Sequence, residues 1–253
     1  MPDANRDDPK RRRMLVKIIV AAAVGILALA HTAPFAFLFD AASGELSKWS
    51  MPQGPGERSI YLTFDDGPNP TVTGELLDLL REKQVRATFF LIDKHATEET
   101  APLIRRMFEE GHSVGQHTDN RWLMLYTPGR LVEELNAAAS RVEQLAGSRP
   151  CPIFRPHAGW RGISMLMGLS RMQYKLVGWS WLNFDFVWFR KRTGDRIARQ
   201  VLAHAAPGNI VVLHDGHHLD PRADRRYTLA AAARIIDGLR AEGYSFATFC
   251  GAS

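Results

Sequence analysis

The sequence predicts an α/β fold on a parallel, closed sheet, and three observations carry that expectation. Strand-like and helix-like segments alternate without a break, glycines stand where the helical patterns stop, and ionisable residues collect where the strand patterns end. Strand candidates begin near Ser59, Ala87, His112, Pro152, Tyr174, Asn209 and Tyr244. Between them lie helical patterns at Val72–Lys83, Glu98–Glu110, Pro128–Leu145, Ile163–Met172, Gly194–Ala205 and Leu229–Glu242. In the third of these, Val132, Leu135, Ala139 and Val142 keep one apolar face. Gly111, Gly147, Gly208 and Gly243 fall at the stops. Seven such units in 253 residues fit one core of barrel size.

Three regions follow from composition: 1–39, a basic and then apolar leader; 40–56, polar and turn-rich, a linker; and 57–253, the folded domain. Lys10–Arg13 followed by Ile18–Ala30 reads as the positive and apolar parts of a secretory signal, with Ala28–Ala30 or His31–Ala33 as the small-residue cleavage site. Extended to Phe39, the apolar run has 22 residues, close to the ~20 that span a bilayer. Both readings place the protein outside the cytoplasm, in the periplasm or cell envelope, either released or held in the inner membrane by this segment. Arg12-Arg13-Met14-Leu15-Val16-Lys17 also has the look of a twin-arginine signal. The net charge of +5 owes +3 to residues 1–30, with six Lys/Arg against three Asp, which leaves +2 for the rest. No basic patch alternating with aromatics marks a nucleic-acid partner. Cys151 should start one strand and Cys250 follow the end of another, at opposite ends of a parallel barrel. Bridged Cα atoms lie within about 7 Å, so two unpaired thiols are expected.

The chemistry gathers at the strand ends. Ile60-Tyr61-Leu62-Thr63-Phe64 runs into Asp65-Asp66-Gly67-Pro68, so a buried strand ends in two adjacent carboxylates. Asp is seldom buried unless paired or bound to metal. Neighbouring residues at a strand end can diverge, so one carboxylate can hold a metal while the other handles a proton. His117 follows the third strand, Arg155 the fourth, Asp185 comes shortly after the fifth, and His214-Asp215 ends the sixth. Reactive groups of parallel α/β folds gather on this side.

These segments resemble the motifs of the polysaccharide deacetylases, the NodB-homology carbohydrate esterases. Thr63-Phe64-Asp65-Asp66-Gly67-Pro68 is similar to the first motif. Gly111–Thr118 resembles the second, whose histidines bind the metal, and Phe154-Arg155-Pro156-His157-Ala158-Gly159 resembles the third. Trp179-Ser180 leading to Asp185-Phe186 resembles the fourth, and Leu213-His214 the fifth. The resemblance implies a distorted (β/α)7–8 barrel and metal-dependent removal of N-acetyl (or O-acetyl) groups from an envelope polysaccharide or lipid-linked sugar. It makes Asp65 the base, held by Arg155; Asp66 and His117 ligands of a divalent metal (zinc, or cobalt or nickel); and His214 the acid, tuned by Asp185. A main-chain N–H in His157-Ala158-Gly159 would meet the oxyanion. The aromatic stretch Trp179–Phe189, with Trp181 and Phe186, would either roof the core, stack on sugar or touch lipid.

One departure stands out. Where the family has a third ligand, four residues after His117, this chain has Arg121, which has no lone pair to give. Three outcomes are open. Arg121 swings out and Asn120, Asp119 or His157 completes the shell; a two-ligand site binds metal weakly; or the fold is a catalytically degenerate, metal-free glycan binder. His217-His218 reads as a solvated loop.

Overall fold

Every strand expected from the sequence forms, each starting within one residue of its expected start. In the computed structural model, which describes residues 9–32, 40, 43–181, 185 and 193–250, the strands are β1 (Ser47–Lys48), β2 (Ser59–Asp65), β3 (Thr88–Ile92), β4 (Ser113–His117), β5 (Ile153–Arg155), β6 (Lys175–Val177), β7 (Ile210–His214) and β8 (Ser245–Phe246). The helices are α1 (Pro9–Thr32), α2 (Thr73–Glu82), α3 (Ala101–Glu109), α4 (Pro128–Ala146), α5 (Ile163–Arg171), α6 (Gly194–His204) and α7 (Arg226–Ala241). The α4 helix begins on Thr127, whose hydroxyl accepts from Arg130 N–H, has Pro128 in its first turn, and stops at Gly147 with φ 75°.

The strands run in the order β1-β6-β5-β4-β3-β2-β7, with β8 beside the start of β2, and every pairing is parallel. The antiparallel bridge Ser50–Asn209 and the bond from Ser180 N–H to the Ile210 carbonyl join the two edges. The barrel is therefore closed by an irregular seam, a distorted (β/α)7–8 form. β2 shows how the layers are assigned. Ile60, Leu62 and Phe64 pack outward against Leu76, Leu77 and Leu80 of α2 and Ile235, Ile236 and Leu239 of α7. The alternate residues face the barrel interior, where Tyr61 meets Phe90, Ile153, Val177 and Ile210. Thr63 and Asp65 belong to that inward row.

Two expectations are corrected. The stretch 40–56 is not only a linker: β1 pairs Ser47 with Leu176 and Lys48 with Val177, Trp49 is buried, and Asp40 accepts from Arg161 Nε at 3.0 Å. A two-residue strand has no alternation to read, and its stability comes from partners distant in sequence. The thiols are not free either. Cys151 and Cys250 form a disulfide with Cα atoms 6.4 Å apart. β8 ends after two residues beside the start of β2, and the chain then crosses the amino-terminal mouth of the barrel. There Phe249 packs on Tyr61 and Phe90, and Cys250 N–H donates to Ser113 Oγ at 2.9 Å. Both cysteines thus lie at the same end. The link spans 99 residues, so Cys250→Ser is expected to remove about 2–5 kcal/mol of stability, read as a lower urea midpoint.

Along α1 the side chains from Lys10 to Gly25 are exposed, among them Met14, Ile18, Ile19 and Val24. Among the described residues no helix is long and apolar enough to cross a membrane. The expected run Ile18–Phe39 continues outside those described.

Candidate active site

The inward row of β2 meets an arginine inside the barrel. Arg155 ends β5, is fully buried, and uses its donors on four acceptors: Nη1 to Asp65 Oδ1 at 2.5 Å and to Thr63 Oγ1 at 2.7 Å, Nη2 to the Gly178 carbonyl at 2.9 Å, and Nε to the Val177 carbonyl at 3.2 Å. Its guanidinium lies over the Phe90 ring, 4.0 Å from the centroid. A buried cation persists only when paired and hydrogen-bonded like this. Asp65 in return is aligned and supplied with a counter-charge.

Asp66 points elsewhere because its backbone turns into the left-handed region, φ 69°, a conformation that non-glycine residues keep mainly where surroundings enforce it. Two contacts enforce it. Gly216 lies so close that any Cβ there would strike the Asp66 carbonyl. His95 Nδ1 donates to the same carbonyl at 3.0 Å. The Asp66 carboxylate then faces His117 of β4, Oδ1 to Nε2 3.3 Å. His117 Nδ1 lies 2.6 Å from the Arg155 carbonyl and so carries its proton on that side. In the neutral ring, Nε2 presents a lone pair to a carboxylate oxygen. Two acceptors that converge in this way call for a cation between them. Burial alone would lower the His117 pKa, but its bond to Asp66 and the nearby charges of Asp65 and Asp66 raise it, so the carboxylates that would attract a metal ion also favour a proton on Nε2. Burial would raise Asp66, yet His117, His214 and Arg225 hold it well below the usual carboxylate range.

The opposite pair is on β7. Asp65 and His214 are register partners on adjacent strands. His214 Nδ1 is 3.0 Å from both carboxylate oxygens of Asp185, whose Oδ2 also accepts the His214 main-chain N–H at 2.9 Å. Burial would lower the His214 pKa, but the charge and hydrogen bond of Asp185, with Asp66 and Asp65 behind, lift it to about 9.

Around this centre the expectations divide. Arg121 opens a short 3-10 turn and is exposed. Asp119 is engaged by Lys94 Nζ at 2.8 Å, and Asn120 caps the turn, accepting from Trp122 N–H at 3.0 Å and donating to Tyr126 Oη at 3.1 Å. His157 stands one residue past Pro156 with its ring 6.2 Å from that of His117, and its Nδ1 is buried without a hydrogen-bond partner. Burial, with the neighbouring charge of His117, pushes His157 down to about 4, so the ring is neutral at pH 7. His218 is not merely a solvated loop residue: its ring lies 4.9 Å from His157. Ala158 takes φ 50° and Gly159 is buried, which turns the main chain sharply beside the mouth. Among the described residues no three His, Cys, Asp or Glu side chains already surround one point as a metal cage. Trp181 is not at the mouth. It packs on the core, its indole N–H donates to Asn209 at 3.3 Å, and Asn209 precedes β7 at the far end from His214. After β6 the chain passes the start of β7, where Ser180 N–H donates to the Ile210 carbonyl, which a reading by sequence order misses. Phe186 lies outside the described residues.

A family model for polysaccharide deacetylases matches residues 53–177. A peptidoglycan-N-acetylglucosamine deacetylase of Bacillus cereus is 32% identical over 200 residues, 79% of this chain and 89% of the relative. The chain belongs to the polysaccharide deacetylase family. A chitooligosaccharide deacetylase of Sinorhizobium fredii is 38% identical over 202 residues, 76% of this chain and 90% of the relative. Among solved structures, a peptidoglycan N-acetylglucosamine deacetylase in complex with 4-naphthalen-1-yl-N-oxidanyl-benzamide superposes with TM-score 0.70 and 28% identity, covering 83% of this chain and 94% of that one. A family 4 acetyl xylan esterase from Clostridium thermocellum, holding a cobalt ion, has TM-score 0.66 and 28% identity over 76% of this chain and 88% of its own. The protein is accordingly a hydrolase of carbon–nitrogen bonds other than peptide bonds, a carbohydrate deacetylase.

Sequence reading misses two residues of this deacetylase site, His95 and Arg225. His95 stands three residues beyond β3, so a search confined to the last residue of each strand overlooks it. Buried Arg225 donates to the Gly216 carbonyl at 2.6 Å and holds the loop that crowds Asp66. Asp215, legible as a strand-end residue, is fully buried; its Oδ2 accepts from Thr73 Oγ1, its Oδ1 is unpartnered, and burial pushes its pKa up to about 7.

Proposed function

We propose that the protein removes N-acetyl groups from N-acetylglucosamine units of an envelope polysaccharide, with a divalent metal held by Asp66 and His117. The observation that carries this reading is the pair of oppositely poled ion pairs on adjacent strands, Asp65–Arg155 and His214–Asp185, flanking the converging Asp66 and His117. Zinc, cobalt and nickel suit the nitrogen and oxygen donors. When bound, such an ion would supply Lewis acidity toward a water and the acetyl carbonyl. Asp65 accepts the proton of the attacking water, and Arg155 holds its carboxylate in place and aims it. His214, protonated at neutral pH, gives a proton to the departing amine, and acetate leaves. The left-handed turn at Ala158 fits a main-chain N–H presented to the oxyanion.

The relatives' substrates, peptidoglycan and chitooligosaccharide by name, support the choice of glycan. Export is supported by the basic cluster Lys10–Arg13 ahead of the exposed apolar residues of α1, and by a disulfide suited to an oxidising compartment. A disabled glycan binder is disfavoured because both catalytic pairs are intact. Purified protein is expected to release acetate from N-acetylglucosamine oligomers, to stop after chelation and to recover with added Zn²⁺; absence of release from the metal-loaded protein overturns the reading. Because Arg121 is exposed, Arg121→Ala is expected to change kcat/KM by no more than about 2–3-fold.

A further inference from the structure

We propose that His157 is the third protein ligand of the metal site, replacing the residue that the Arg121 position does not provide. The inference rests on the metal-dependent reading above and assigns a ligand that it lacks. Catalytic zinc sites use three protein ligands and leave a fourth position open to water or substrate. Asp66 and His117 supply two, converging to 3.3 Å. The side chains following His117 are committed elsewhere: Asp119 to Lys94, Asn120 to its own turn and to Tyr126, and Arg121 outward to solvent.

His157 differs from all of these. It projects from the end of β5, the strand whose last residue pairs in register with His117, and therefore stands at the same mouth. Its ring lies 25° from parallel to that of His117 with centroids 6.2 Å apart. Its Nδ1 is buried and has no partner, an unfavourable arrangement unless something binds there. An unprotonated imidazole nitrogen without a hydrogen-bond partner has a lone pair to give to a cation. The His218 ring also packs against it, at 62° and 4.9 Å between centroids. The ligand set becomes one carboxylate and two imidazoles, drawn from β2, β4 and the β5 loop. His157 stands next to His117, and among the described residues the three side chains do not yet converge on one point, so the ring would have to shift toward the ion on binding.

The test measures metal rather than turnover. Full-length wild-type protein, dialysed against Zn²⁺, is expected to hold about one ion per chain, with affinity read by competition against a chromophoric chelator. Loss of a group that merely orients a ligand already costs about 10–100-fold in metal affinity, so His157→Ala is expected to weaken Zn²⁺ binding by ~100-fold or more. The visible absorption of the Co²⁺ form is expected to change at the same time. His157→Phe, which keeps a ring without nitrogen, is expected to behave alike, and unfolding midpoints confirm that both variants are folded. His218→Ala and Arg121→Ala are expected to stay within about threefold of wild type. If His157→Ala and His157→Phe bind Zn²⁺ as tightly as wild type while Asp66→Ala loses it, His157 is not a ligand and the metal-dependent reading stands. If His218→Ala alone releases the ion, the assignment passes to His218. A wild-type chain that takes up no metal and releases no acetate overturns both.

Discussion

Asp65→Asn is expected to reduce kcat by about 10²–10⁴-fold, the contribution of a positioned general base, while leaving metal content unchanged. The separation arises from the backbone. Asp65 lies in the inward row of β2 and bonds Arg155, whereas left-handed Asp66 turns its carboxylate to His117. Removing one charge therefore spares the metal pair. It does not spare stability. Arg155 is fully buried, and an amide in place of its counter-ion leaves a guanidinium without compensating charge, which costs about 3–5 kcal/mol. Against a typical total of about 5–15 kcal/mol the variant remains folded with a clearly lower urea midpoint. A variant that keeps wild-type acetate release at this lower midpoint removes Asp65 from the role of base. Arg155→Ala inverts the picture, stranding the Asp65 carboxylate and removing bonds to Thr63, Val177 and Gly178 together, so both folding and rate should suffer.

How much of this is legible in the sequence follows from the range of the forces involved. β2 announces itself because its two faces differ, one against α2 and α7 and one toward the barrel axis, and that alternation is written in adjacent residues. Asp65, Asp66, His117, Arg155 and His214 are legible because parallel strands deliver their last residues to one side. Asp185 is found through its motif, and its bond to His214 depends on a segment whose course sequence order does not reveal. The same segment carries Trp181 away from the mouth to the start of β7. β1 and the disulfide are illegible for a related reason. A two-residue strand and a terminal strap have no period, and only their distant partners, Leu176 and Ser113, fix where they lie. His157 is visible as a histidine near a motif; that its Nδ1 is buried and unpartnered is a property of packing.

Asp185→Asn is expected to move the alkaline limb of the kcat profile from near pH 9 down toward the ordinary histidine range. The acid must be protonated in the complex to donate, so kcat falls as pH rises through the His214 pKa. Burial disfavours the imidazolium, and the value of about 9 exists because Asp185, first by its charge and then by its hydrogen bond, outweighs burial. The amide of the variant would retain an acceptor for the His214 main-chain N–H but no charge, so burial would prevail and the pKa would fall to ~6.5 or lower. At pH 8 the protonated fraction would drop from about 90% to about 3%, a loss of roughly 30-fold in kcat that shrinks on acidification. Stability follows the same sign. A folded-state pKa above the unfolded value contributes stability that is fully present below about pH 6.5 and disappears as pH climbs through 9. The wild-type unfolding midpoint should therefore decline between those limits more steeply than that of Asp185→Asn. An alkaline limb that stays near 9 in the variant would mean that another group, and not His214, delivers the proton to the amine.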